Sequence, residues 1–230
     1  MKPLIEHLEE LRTRIIVVIV FLGACFIAGV LLTQPILAEL RRKFVGAGAS
    51  LIVLTPIEYF IVQLKIGLYL GIIVATPLMV YELMQFVKPA IQKNKILRSI
   101  IPVFIVLYFA GLAFAYFLFM PLTMKYITPF APSAGIANIW SLNALVNFLF
   151  ITIYSTALIF EIPLIMLTFV KLNLANSKWF SSQRKYIYVA ITILAAIITP
   201  GVDIVTQILV MIPMILLFEF GILLLWVFRY

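Results

Sequence analysis

The chain has 230 residues, 65% of them hydrophobic and only 11% charged, against about 25% charged in soluble domains. This excludes a separate aqueous domain and marks an integral membrane protein whose function must lie in its spans and short loops. The net charge of +8 does not point to nucleic acid, because most Lys and Arg fall in loops between apolar runs, where they set topology.

The N-terminal segment is amphipathic. Leu4, Ile5, Leu8 and Leu11 share one helical face, while Glu6, Glu9 and Glu10 point elsewhere. Helices lying on the anionic inner leaflet are normally basic. Three acids against Lys2 and Arg12 read either as a solvated face or as an anionic docking site for a cationic peptide. Ile15 to Leu32 is 18 apolar residues, about 27 Å of helix. Three glutamates precede it and no small-residue cleavage site follows closely, so it reads as a retained span rather than a signal peptide. The lone cysteine, Cys25, lies inside it as a packing residue, which leaves no intramolecular disulfide or Cys-based metal site. Beyond it, Ile36 to Phe44 mixes apolar and basic residues and reads as a short interfacial helix.

A second span is expected from Ile61 to Tyr81, with Lys65 near its start and Pro77 near its end. Ser99 to Met120 is the third. An outer loop, Pro121 to Asn143, carries Pro129, Pro132 and Gly135 and reads as an ordered, turn-rich cap. The fourth span is Ala144 to Val170. Tyr186 to Thr199 is only 14 residues, about 21 Å. It fits a short span in a locally thinned bilayer, or alternatively a re-entrant or buried helix. Thr199-Pro200-Gly201 stops it, and a sixth run, Ile204 to Phe228, holds Pro213 and Glu219. One transmembrane domain over 1–230 is expected, with spans at about 15–32, 61–81, 99–120, 144–170, 186–199 and 204–228.

With six spans, Lys2, Arg12, Arg14, Lys88, Lys93, Lys95, Arg98, Lys171, Lys178, Arg184, Lys185 and Arg229 fall on one side. Arg41, Arg42, Lys43 and Lys125 fall on the other. The positive-inside rule then places both termini of a multi-pass protein in the cytoplasm; the cytoplasmic (inner) membrane is its expected location. No internal repeat is evident.

Chemistry concentrates at Glu161, inside the fourth apolar run. A carboxylate at that depth costs on the order of 2.5–3.5 kcal/mol on insertion scales, so it needs a partner, a proton or a job. Asn147, Tyr154, Glu161 and Thr168 recur every seven residues and share one face of a continuous helix. They read as an intramembrane polar groove or as helix-packing contacts. Pro163 should kink the chain beside Glu161. The lone His7 has no metal-ligand spacing around it, and no Gly-rich phosphate loop, GxSxG or HExxH occurs. No cofactor, metal or enzymatic activity is expected. Work done by this chain would draw on a gradient or a partner.

Several motifs, in order along the whole chain, resemble the TatC family, the receptor of the twin-arginine protein translocase. His7-Leu8-Glu9-Glu10-Leu11-Arg12 resembles its HLxELR opening, and Thr55-Pro56-Ile57-Glu58 followed by Lys65 its second-span start. Tyr81 to Ala90, YELMQFVKPA, resembles YQxWxFxxPAL. Ala113 to Phe117 with Pro121-Leu122 resembles the end of its third span. Phe160-Glu161-Ile162-Pro163 resembles FExP, Thr199 to Asp203 with Gln207 resembles TPPD…Q, and Pro213, Phe218 and Glu219 resemble IPxxxLFE. Two positions depart from the pattern. The family's second acidic contact, nine residues past the Phe, is Lys95 here, and its Gln after the Tyr is Glu82.

The resemblance implies an all-α, six-helix, glove-shaped bundle whose concave face carries Glu161. It implies binding of twin-arginine signal peptides of folded precursors, single-span TatA- and TatB-like partners, self-association in the bilayer, and transport driven by the proton-motive force. Glu9, Glu10, Arg12, Glu82, Phe86 and Lys95 are the expected signal-peptide residues, with Glu10, helped by Glu9, as the main acid; Glu82, one turn before Phe86 on the same face, is expected to offset Lys95 in part. Pro56, Pro163, Asp203 and Gln207 would be structural or partner positions. The residues alone equally allow an ion-coupled small-solute transporter using Glu161, or a scaffold subunit without a site.

Overall fold

The structure, a computed structural model, describes residues 4–45, 49–87, 94–133, 135–198 and 204–227. Five helical stretches among them are long and apolar enough to cross a membrane: Leu8–Leu31, Glu58–Phe86, Ile100–Ile127, Leu142–Lys171 and Ile204–Val227. Helix is the natural answer for such runs, because it satisfies every backbone polar group within the segment. The class is therefore an all-α membrane protein, as the composition implies. The chain forms two compact units. One holds the residues up to Ile101 together with Ala131–Asn147, and the other holds Pro102–Phe130 and the residues from Phe148 onward.

In the first unit, α1 (Leu4–Leu31) lies along α3 (Glu58–Val87). Small residues let the backbones meet. A Cβ added at Gly29 would stand 2.8 Å from Gly67 Cα, and one at Gly67 would stand 2.5 Å from Val30 Cγ2 and 2.8 Å from the Phe26 carbonyl oxygen. Gly67 and Gly71 form a GxxxG pair, the spacing that brings small residues onto one helix face. The segment expected as an interfacial helix is α2 (Thr33–Leu40), continued by a π-helical turn at Arg41–Val45.

Sequence patterning did not anticipate a two-stranded parallel ladder. In it β1 (Ser50–Ile52) pairs with β2 (Ile139–Ser141), Leu51 standing opposite Trp140. Strands this short carry no readable periodicity. Glu58, 6% exposed, fastens this end. Its carboxylate accepts from the backbone N–H of Leu54, from Thr55 N–H at 3.4 Å, from Asn143 N–H at 3.1 Å and from Ser141 Oγ at 2.8 Å. Beneath it Val62, Ile66, Leu142 and Val146 form a core with Ile36, Leu37 and Leu51 packed against it.

The third apolar run does not stop where its composition suggested. Helix α4 (Asn94–Phe114) passes through a π-helical turn at Ala115–Phe119 into α5 (Met120–Ile127). Pro121 stands in the first turn of α5, where its missing N–H is tolerated, so it does not end the helix. The loop that follows holds the one-turn α6 (Phe130–Ser133) and Gly135, whose φ of 75° suits a residue without a Cβ.

The second unit takes α7 (Leu142–Ile159) from Phe148 onward, followed by α8 (Ile162–Lys171), α9 (Ser177–Ser182), α10 (Arg184–Ile198) and α11 (Ile204–Val227). Helix α10 covers the short fifth run, and its 15 residues make about 22 Å of helix. The core gathers Met166, Phe180, Ile191, Ala195, Met214 and Phe218, with further buried residues of the same helices. Close approach again uses glycine. A Cβ at Gly111 would stand 2.8 Å from Ala157 Cα, and one at Gly221 would stand 2.6 Å from Met166 Sδ.

Candidate functional site

The N-terminal acids belong to a clamp in the first unit. Arg14 lies one helical turn after Glu10 on α1 and reaches across to α3. Its Nη2 donates to Glu10 Oε1 at 2.7 Å, its Nε to the same oxygen at 3.2 Å, and its Nη1 to Glu82 Oε2 at 2.6 Å. The side chains of Arg14, Glu10 and Glu82 are only 24%, 21% and 16% exposed, so solvent screens these pairs less than ordinary surface ones. The two carboxylates, 72 residues apart in sequence, thus share one guanidinium.

Glu9 and Arg12 are exposed and outside this arrangement. Phe86 follows Glu82 by one turn on α3 and is half-buried. Lys95 lies in the first turn of α4, but its side chain lies outside the described residues. Sequence reasoning missed Arg14, although Glu10 and Arg14 have the i,i+4 spacing of a helical ion pair. The spacing could have flagged the pair, but the bridge to Glu82 depends on how α1 and α3 align.

The four residues expected to form a polar groove have separate settings. Asn147 accepts at Oδ1 from Lys65 Nζ at 3.2 Å and from the Tyr69 hydroxyl at 2.6 Å. Lys65 also donates to Asn143 Oδ1 at 2.7 Å. An ammonium in an apolar run is thereby held by amide oxygens, with no ion pair to Glu58. Tyr154 is half-buried and stacks on Phe150 with ring centroids 5.4 Å apart. Thr168 turns its hydroxyl back to the Leu164 carbonyl at 2.7 Å.

Glu161 differs from all of these. It is 5% exposed, and neither carboxyl oxygen has a hydrogen-bond partner among the described residues. The seven-residue spacing presumes one continuous helix, and the chain breaks it here. Helix α7 ends at Ile159, Phe160 and Glu161 form a turn, and α8 starts at Ile162 with Pro163 in its first turn. Pro163 lacks the N–H that would bond the Ile159 carbonyl, and its ring would crowd that carbonyl. Glu161 N–H bonds instead to the Leu158 carbonyl at 3.1 Å, a tighter turn. The break sets a buried carboxyl at a point where two helix ends meet, and it leaves that carboxyl without a local donor.

Of the remaining positions, Pro56 is exposed in the turn before α3, and Pro163 is buried. Gln207 donates from Nε2 to the Thr192 carbonyl at 3.1 Å, tying α11 to α10. Asp203 lies outside the described residues. At the other end of that helix pair Arg184 forks onto Glu219, Nε to Oε1 at 3.0 Å and Nη2 to Oε2 at 2.9 Å, and the Tyr188 hydroxyl donates to Oε1 at 2.5 Å.

Known proteins share this arrangement of chain. The family described as Sec-independent protein translocase protein (TatC) matches residues 6–213. The tatC-like protein ycf43 of Cyanidium caldarium is 35% identical over 97% of this chain and 93% of its own. The Sec-independent protein translocase protein TatCy of Bacillus subtilis is 28% identical over 96% of this chain and 87% of its own. A crystal structure of the twin arginine translocase receptor TatC in DDM superposes with a TM-score of 0.82 at 28% identity, covering 95% of this chain and 99% of that one. With a family match that spans most of its length, this chain belongs to the TatC family of Sec-independent protein translocase proteins.

Proposed function

We propose that this chain is the signal-receptor subunit of a twin-arginine translocase, and that Glu10 and Glu82 take the guanidinium groups of the signal peptide. The observation that supports this reading is the Arg14 clamp. Glu10 and Glu82 already hold a guanidinium in three hydrogen bonds, two of them short. Planar forked donors match carboxylates in a way that a lysine ammonium does not. Glu82 then supplies an acid that the family pattern places at the position of Lys95. Phe86, one turn on, borders the apolar part of the signal, while exposed Glu9 and Arg12 steer the approach.

In this reading six spans place both termini in the cytoplasm of an inner-membrane protein. Single-span TatA- and TatB-like helices and further copies of the chain complete the translocase, and the proton-motive force drives transport of folded cargo. Glu161 supplies the intramembrane contact, as an acceptor for a polar group of a partner helix. The test is titration of the detergent-solubilised chain with twin-Arg and twin-Lys versions of one signal peptide. Tight binding of the first, weakened by Glu10→Ala and Glu82→Gln more than by Glu9→Ala, is expected. Equal binding of both peptides by all variants would contradict the assignment.

A further inference from the structure

The second unit holds a cavity of about 770 Å³ between α9, the start of α10 and the last turns of α11. We propose that it is a binding site for an anionic phospholipid, with the phosphate at the α9–α10 rim and the acyl chains running from there along α11 past Phe220, away from Trp226.

The charge balance favours an anion. Among the described residues Glu219 is the only acid lining the cavity, and its carboxylate is engaged on both oxygens by Arg184 and by the Tyr188 hydroxyl. Arg184 therefore cancels Glu219, and Lys178 is left as excess positive charge. Lys178 has no ion pair among the described residues, and neither do the hydroxyls of Ser177 and Ser181 have hydrogen-bond partners there. Arg184 uses Nε and Nη2 on Glu219, which leaves Nη1 as a donor held in a fixed fork. An ammonium, a spare guanidinium N–H and two hydroxyls together suit the oxygens of a phosphodiester.

The apolar wall distinguishes a lipid from a soluble anion. Phe220, Leu223 and Trp226 are 48%, 55% and 77% exposed, and Trp226 lies in the last turn of a helix long enough to cross the membrane. Trp at a span end marks the headgroup level. Basic pockets between helices at that level suit anionic headgroups, and each cation near the surface adds about 1 kcal/mol of attraction. A free phosphate would use the rim and leave this wall bare. Among the described lining residues an acidic protein segment would find only one uncancelled cation.

The experiment is native mass spectrometry of the full-length chain in detergent, titrated with phosphatidylglycerol, phosphatidylcholine or inorganic phosphate. Phosphatidylglycerol adducts should exceed phosphatidylcholine adducts. Lys178→Gln should reduce them roughly fivefold, in line with loss of one headgroup cation, and leave phosphatidylcholine unchanged. Lys178 is exposed and outside the Arg184–Glu219 pair, so the fold should tolerate this change. Lys185→Gln, beside the cavity but not lining it, should have no effect. The proposal is overturned if Lys178→Gln is neutral, if Lys185→Gln matches it, or if millimolar phosphate or a soluble acidic peptide displaces the lipid.

Discussion

Removing Arg14 should tighten signal binding. In the free protein the two acids proposed to receive a signal arginine are already occupied by Arg14, through three hydrogen bonds at 2.6–3.2 Å. An incoming guanidinium must displace that contact. Exposed ion pairs contribute about 0.2–1 kcal/mol each. Charge-assisted forked bonds are stronger, but side chains 16–24% exposed still face some solvent screening. Together the two pairs are worth about 1.5 kcal/mol, so Arg14→Gln should strengthen twin-Arg binding roughly tenfold. A twin-Lys peptide should gain less, because an ammonium cannot bridge both carboxylates in one plane. The same variant loses the tie between α1 and α3 and should unfold a few degrees earlier. Calorimetric titration at two salt concentrations would read the affinity, and its gain should shrink as salt rises. Weaker or unchanged twin-Arg binding by Arg14→Gln, in a protein where Glu10→Ala still weakens it, would refute the idea that Arg14 competes with the ligand.

Three further outcomes are expected. Gly67→Ala should cost about 1–3 kcal/mol of stability, because its Cβ would meet Val30 Cγ2 at 2.5 Å and the Phe26 carbonyl oxygen at 2.8 Å; unchanged thermal unfolding in detergent would show that α1 and α3 are not so close. Glu161→Leu should raise stability by about 1–3 kcal/mol, since it removes a buried carboxyl with no partner among the described residues, while abolishing transport; Glu161→Gln should keep part of the activity, and a Leu variant that transports normally would remove the proposed role. Single cysteines at Gly135 and Asn176 in a Cys25→Ser background should label from outside and inside the cell respectively, and external labelling at Asn176 would reject the six-span topology.

Membrane class was legible because it depends on local composition. A bilayer demands about 20 apolar residues in a row, and that signal survives without knowledge of any neighbour. Glu161 stood out for the same reason, as a lone acid in such a run, and so did the break, since Pro163 disrupts helix bonding wherever it falls. The stripe from Asn147 to Thr168 shows the limit of periodicity. Spacing assumes one unbroken helix, and the turn at Phe160–Glu161 ends that assumption midway.

What only the tertiary structure decided are pairings between distant segments. Arg14 meets Glu82 across 68 residues, Lys65 meets Asn143 and Asn147 across 78 and 82, and Glu58 holds Ser141 across 83. Each depends on the lengthwise register of two helices or loops. Between α1 and α3 the backbones touch at Gly29 and Gly67, and a shift of one residue turns a helix face by about 100°. The residue types along the chain limit what can be buried in a membrane. Which buried or half-buried charge meets which partner is decided only when the helices pack.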